Sequence, residues 1–119
     1  MNGNKRRVIA VTGKGGTGKT LFVTLLSKIL GRYKGLKVLV VDADSATSLP
    51  QVMGMKVDKT ISDIREEIIT IPGARRRSKD THIRTTIEGV VKKKDDIYLM
   101  VMGRPEGPGC FCAINDLLK

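Results

Sequence analysis

A chain of 119 residues with 40% hydrophobic and 29% charged content has the make-up of one globular domain. No apolar run reaches the length of a membrane span, and two cysteines without a visible secretory leader point to the cytoplasm rather than to a disulfide-stapled scaffold. The formal net charge of +10, with basic runs at residues 5–7, 75–77 and 92–94, fits a solvated surface or an anionic partner (nucleic acid, membrane or acidic protein); the 3% aromatics argue against a single-strand stacking platform, and nucleic acid is not the expected partner.

Residues 1–6 form a polar start. Residues 7–12 carry the continuous apolar run Val8-Ile9-Ala10-Val11, which predicts a first strand buried on both faces. The glycine-rich stretch 13–20 follows, and then Leu21, Phe22, Leu25, Leu26, Ile29 and Leu30 recur at helical spacing, predicting a helix over 19–33 that stops at Gly35. A second continuous run, Val38-Leu39-Val40-Val41, predicts a strand over 37–42. Residues 45–55 read as a short helical or irregular segment broken by Pro50 and Gly54. A helix over 60–69 places Ile61, Ile64 and Ile68 on one face, with Thr60 or Ser62 as its cap.

Pro72-Gly73 closes that helix, and residues 74–80 form a basic loop. A further helix is expected over 81–93, although Thr85, Thr86 and Gly89 weaken it. Asp95-Asp96 marks a turn, and residues 97–102 predict a third strand. A loop rich in glycine and proline spans 103–112, and a last helix begins at 113. A strand, a helix and a second strand of this patterning imply parallel pairing with a right-handed crossover. Asp42 and Asp44 then lie at the carboxyl end of the second strand, the edge where open parallel sheets bind ligands.

Gly13-Lys14-Gly15-Gly16-Thr17-Gly18-Lys19-Thr20 meets the pattern G-x-x-x-x-G-K-[ST] in full, between a predicted strand and a predicted helix. Glycines let successive N–H groups curl around a phosphate, and the helix start adds unsatisfied amides and a positive dipole end. Lys19 is expected to reach the β/γ-phosphates, and the Thr20 hydroxyl to ligate Mg²⁺. The bland alternative is a glycine turn that merely precedes a helix.

The second lysine, Lys14, makes the loop resemble the deviant Walker A motif of the class that contains MinD, ParA and the nitrogenase iron protein. That resemblance implies an α/β fold: a three-layer P-loop NTPase-type parallel sheet with flanking helices. It also implies ATP and Mg²⁺ as cofactors, with Gly13, Lys14, Gly15, Gly16, Thr17, Gly18, Lys19, Thr20 and Leu21 around the nucleotide. Lys14 would act across a nucleotide-dependent homodimer, supplying a cation to the partner's phosphates as an arginine finger does. Val41-Asp42-Ala43-Asp44 is similar to the switch I segment of the class, expected here over 42–48. By that likeness Asp44 positions or deprotonates the attacking water and Asp42 organises the Mg²⁺ sphere. A solvated strand end or a helix cap is the plain alternative for both carboxylates.

The stretch from Met102 to Asn115, which contains Cys110-Phe111-Cys112, resembles the nickel-insertion ATPases that mature carbon monoxide dehydrogenase, the CooC-like proteins. In those proteins the C-x-C pair binds metal at the dimer interface. The implied chemistry is Ni or Zn held by Cys110 and Cys112, and the implied client is the nickel enzyme carbon monoxide dehydrogenase. A closed tetrahedral site wants four ligands, and beyond these two thiols the chain has one histidine, His82, and no other cysteine. Two copies related by a two-fold axis would complete the set. Packing thiols or a redox pair remain open.

The resemblance runs nearly end to end, over 1–119, yet matches only the N-terminal half of the family pattern. A Walker B strand and switch II would come next, and Ser45-Ala46-Thr47-Ser48 departs from the asparagine-bearing continuation expected after the Asp-x-Asp. Without a Walker B strand, residues 8–11 are expected to leave an open apolar sheet edge. An oligomer or a partner chain would complete it, or the chain would be a poorly stable fragment. Hydrolysis by this chain alone is expected to be slow or nil. Two other functions fit the P-loop: a ParA/MinD-like positioning ATPase on DNA or membrane, and a nucleotide-binding remnant without catalysis.

Overall fold

The computed structural model describes residues 6–69 and 84–104. In chain order these hold α1 (Lys19–Leu30), β1 (Val38–Asp42), α2 (Leu49–Met53), α3 (Ile61–Ile69), a helical segment over 84–90, β2 (Lys92–Lys94) and β3 (Ile97–Val101). The sheet order is β1-β3-β2. β1 and β3 pair in parallel, from Val38 opposite Ile97 to Asp42 opposite Val101. Between these two parallel strands the chain runs through α2, α3, the helical segment over 84–90 and β2, the long crossover that parallel pairing requires.

β3 is the central strand and is buried on both faces. On one face Ile97, Leu99 and Val101 join Val40 of β1, Leu49 and Met53 of α2, and Met55, with Val23 of α1 packed against them. On the other, Met100 and Met102 pack with Ile61 and Ile64 of α3 and with Val90. A strand clothed on both sides reads as an unbroken apolar run, which is what Ile97 to Met102 is. Ile61, Ile64, Val90, Leu99 and Val101 are almost wholly buried, each contributing about 1.5–3 kcal/mol of apolar transfer. The three-layer α/β expectation is therefore met, with helices on both faces of the sheet.

The sheet is mixed, because β2 adds antiparallel to the edge of β3. The helix expected over 81–93 ends at residue 90, and its last two residues, Lys92 and Lys93, form this strand with Lys94 instead. A two-residue turn at Asp95-Asp96 closes the hairpin, with Asp95 at φ 55, a left-handed conformation that aspartate tolerates better than most residues. Each lysine has a use. The Lys92 ammonium lies 3.0 Å from the Asp58 carboxylate and holds its pKa below the usual carboxylate range, by hydrogen bond and by charge. The Lys93 ammonium sits 5.5 Å from the Tyr98 ring centroid. Lys94 donates to the Gly54 carbonyl at 3.2 Å, at the carboxyl end of α2, where a cation complements the helix dipole.

Residues 7–12 do not form the strand their apolar run predicts. Val8 is 94% exposed and Ile9 62%. A strand exists only where a neighbour completes its hydrogen-bond ladder, and among the described residues β1 pairs with β3 and none pairs with 7–12.

α1 keeps its predicted start but ends at Leu30 rather than at residue 33, since the chain tightens through Arg32 N–H to Ile29 O and Tyr33 N–H to Leu30 O. Its buried side is small and polar. The Thr24 hydroxyl donates to Thr20 O at 2.7 Å and the Ser27 hydroxyl to Thr24 O at 2.9 Å, so both are satisfied within the helix. Leu21, Phe22, Leu25 and Ile29 stay more than half exposed.

Pro50 does not break the 45–55 segment. It occupies the first turn of α2, where its missing N–H costs nothing, and Gly54 at φ 64 ends the helix. Thr60, one of the two expected caps of α3, fills that role with Asp63: the Thr60 N–H and hydroxyl both donate to the Asp63 carboxylate, at 2.7 and 2.9 Å. Ser62 is used otherwise, its hydroxyl donating to Met102 O at 2.9 Å and tying α3 to the end of β3.

Gly103 follows β3 at φ 79, and a Cβ there would strike the Thr60 side chain. Gly35 has a similar φ of 81 with open space around it. Gly35→Ala should therefore cost only about 1–2 kcal/mol from the left-handed backbone. Gly103→Ala should cost clearly more in urea unfolding, and equal costs would show that the Thr60 contact carries no weight.

Candidate functional site

The glycine loop closes on one carbonyl. Lys14 O accepts the Thr17 hydroxyl at 2.7 Å and the Lys19 ammonium at 2.9 Å. Gly16 and Gly18 take φ of 79 and 88, which side chains with a Cβ resist, so the loop folds back on itself before α1 begins. The first helical bond runs from Phe22 N–H to Gly18 O at 2.9 Å, leaving the amides of Lys19, Thr20 and Leu21 without an acceptor in the helix. These amides, the helix dipole and the Lys19 ammonium converge at one exposed loop. Such a donor set suits an anion with several oxygens. A Cβ on Gly15, Gly16 or Gly18 would meet no atom of the described residues within 4 Å, so the loop is open at these positions. The Lys14 side chain is exposed, while its carbonyl serves the loop.

Opposite stands the segment leaving β1. Asp42 is 3% exposed. Its carboxylate accepts the Asp44 N–H at 3.1 Å and the Leu49 N–H at 3.3 Å, so it bridges the strand end and the start of α2. Its own carbonyl accepts the Met102 N–H at 2.9 Å, continuing the β1–β3 pairing by one residue. Asp44 is exposed, and its carboxylate accepts the Ala46 N–H at 3.0 Å in a tight turn. Thr47 then takes φ 48, a left-handed conformation that a β-branched residue adopts at a cost.

The two segments meet through Thr20 and Ser48, whose hydroxyl oxygens lie 2.9 Å apart. Thr20 is half-buried at the head of α1, and Ser48 immediately precedes α2. Ser48 takes no part in capping α2 with its side chain. Sequence patterning singled out Thr20 and the two aspartates but not Ser48. A serine just before Leu49-Pro50 is a helix-start signal, and nothing local reveals that its hydroxyl turns instead to a threonine 28 positions away.

The contact is made by two hydroxyl oxygens, and oxygen ligands suit a hard cation such as Mg²⁺. Thr20 has a lone pair to offer, and Asp42 already accepts a backbone amide on each oxygen. Cys110 and Cys112, the thiols expected to hold Ni or Zn, lie outside the described residues. Among the described residues no group of three or more His, Cys, Asp or Glu is placed to hold a metal, and no helix is long and apolar enough to cross a membrane.

Asp42→Ala should strip the acceptor from two amides at the α2 junction and destabilise the fold by about 1–3 kcal/mol in urea unfolding. Asp42→Asn keeps one carbonyl oxygen and should fall between the two. An unchanged midpoint for both variants would show that the carboxylate does not hold the junction.

The sequence of residues 8–108 matches the family model of the CobQ/CobB/MinD/ParA nucleotide binding domain. The chain is 44% identical over 118 residues to the uncharacterized ATP-binding protein MJ0685 of Methanocaldococcus jannaschii, an alignment that covers 94% of this chain and 46% of that protein. A second protein described in the same way in that organism, MJ0084, is 32% identical over 124 residues, covering 93% of this chain and 49% of its own length. The carbon monoxide dehydrogenase accessory protein CooC of Rhodospirillum rubrum is 27% identical over 125 residues, covering 93% of this chain and 46% of that protein. The chain thus spans about half the length of the curated relatives it matches. No solved structure matches it.

Proposed function

This chain belongs to the CobQ/CobB/MinD/ParA nucleotide-binding domain family, and on that premise we propose that residues 13–21 bind the phosphates of ATP with Mg²⁺. The observation that carries this is the loop closed on Lys14 O, with the Lys19 ammonium and three unpaired amides gathered at the start of α1. Lys19 neutralises phosphate charge, the amides of Lys19, Thr20 and Leu21 donate to phosphate oxygens, and Thr20 offers its hydroxyl to the metal. Mg²⁺, when bound, spreads the charge of neighbouring phosphate oxygens. Asp42 keeps the 42–48 segment in place beside this loop, and Asp44, at its exposed turn, is the group available to orient a water. The names of the two M. jannaschii relatives agree with ATP as the nucleotide.

Beyond nucleotide binding we infer a role in metalloenzyme maturation. Support comes from the match to CooC and from Cys110-Phe111-Cys112 in its glycine- and proline-rich frame. In this proposal two chains associate when nucleotide is bound, with Lys14 serving the partner's phosphates. Cys110 and Cys112 from each chain then hold one Ni or Zn ion destined for a nickel enzyme such as carbon monoxide dehydrogenase.

Lys19→Ala should weaken ATP binding at least about tenfold by calorimetry, the scale of losing one charge-assisted contact. Unaltered affinity would sink the phosphate-loop proposal. For the metal, mass spectrometry after gel filtration should find one ion per two chains, abolished in the double variant Cys110→Ser with Cys112→Ser. Stoichiometry that survives the double substitution would remove the thiolate site and leave nucleotide binding standing.

A further inference from the structure

The contact between Thr20 and Ser48 spans two segments that share no secondary structure. A hydroxyl has one proton and two lone pairs, and in the bare protein either of these two groups can donate. Once the Thr20 oxygen gives a lone pair to a cation, its proton has to leave that direction. The acceptor in reach is Ser48 Oγ, at 2.9 Å. Resting on the phosphate-loop proposal above, we propose that Ser48 is a positioning residue: it accepts the Thr20 proton and so aims the Thr20 lone pair at the Mg²⁺ that accompanies the nucleotide.

Three features of the surroundings favour this over a chance contact. Ser48 leaves the N–H groups of α2 uncapped by its side chain, so its hydroxyl is committed to Thr20. Its backbone is fixed from both sides, by the Asp42 carboxylate bonded to the next residue's N–H and by Val52 N–H donating to Ser48 O at 3.3 Å. Thr20 is fixed as well, since its carbonyl accepts the Thr24 hydroxyl at 2.7 Å inside α1. Two hydroxyls on fixed backbones form a preset rotor, and the freedom removed beforehand is freedom that cation binding need not remove. The same bond makes the 42–48 segment sensitive to whether Thr20 is engaged, because any change at Thr20 reaches Ser48 and through it α2.

The test is ATP affinity of the full chain by calorimetry, in Mg²⁺ and in EDTA, for wild type, Ser48→Ala, Ser48→Thr, Thr20→Val and the double variant. Ser48→Ala should reduce the Mg²⁺-dependent gain in affinity about tenfold, the scale of one hydrogen bond to a charge-bearing group. Affinity in EDTA should stay as in wild type. Ser48→Thr, which keeps the acceptor, should restore the gain, and in a Thr20→Val background Ser48→Ala should add nothing. Equal losses with and without Mg²⁺ would make Ser48 a scaffold residue and overturn the proposal. So would an unchanged Mg²⁺ gain, failure of Ser48→Thr to rescue, or additive effects with Thr20→Val. If wild type binds no ATP under either condition, the phosphate-loop proposal itself fails and this one goes with it. Wild-type binding with a silent Ser48→Ala removes this one alone.

Discussion

The Asp42 carboxylate lies where β1, the turn after it and the start of α2 meet. At 3% exposure it accepts the Asp44 and Leu49 amides, while its backbone carbonyl takes the Met102 N–H from the strand alongside. A buried carboxylate is tolerable only when its oxygens are paired, and here they are paired with backbone rather than with a cationic side chain. Much else is hung on that junction. α2 delivers Leu49 and Met53 to the core on one side of the sheet, and Ser48 just before it meets the head of α1. The glycine loop is thus joined to the sheet by two routes, through α1 directly and through the 42–48 segment.

The division of labour among hydroxyls follows from the same economy. Thr24 and Ser27 line the buried side of α1 and return their protons to their own helix, so that face approaches the core without stranded polar groups. Ser62 spends its hydroxyl on Met102 O and Thr60 on Asp63, fixing α3 against the end of β3. Between Asp42 and Gly103 the carboxyl ends of β1 and β3 are therefore held at several points, although the segments leaving them are loops. This is the edge of an open α/β sheet outside which ligands bind.

How far the sequence foretold this depends on how local each signal was. The glycine loop, the start of α1, β1, β3, the Asp95-Asp96 turn and the Thr60 cap are written in neighbouring residues, and all were legible. The family match over 8–108 agrees with the phosphate-loop pattern. Sequence pattern and structure part where distant partners decide. Val8 to Val11 has a strand's composition, but pairing needs a neighbour that composition does not reveal. Lys92 to Lys94 carries no strand signal of its own; β3 recruits it through a two-residue turn, and Asp58, Tyr98 and Gly54 find uses for the charges. Pro50 reads as a breaker in sequence because its effect depends on its position in a helix turn. The Thr20–Ser48 contact was invisible for the plainest reason: hydroxyls bear no mark of which distant hydroxyl they will meet.

The lysines of β2 matter in one more way. They give the sheet a handed boundary. Along β2, the charges resist any newcomer that would lay an extended backbone there, as edge strands rich in lysine do. Along β1, the outward residues Leu39 and Val41 are 55% and 45% exposed and carry no charge. Among the described residues the sheet thus has one charged rim, at β2, and one uncharged rim, at β1, next to the junction at Asp42.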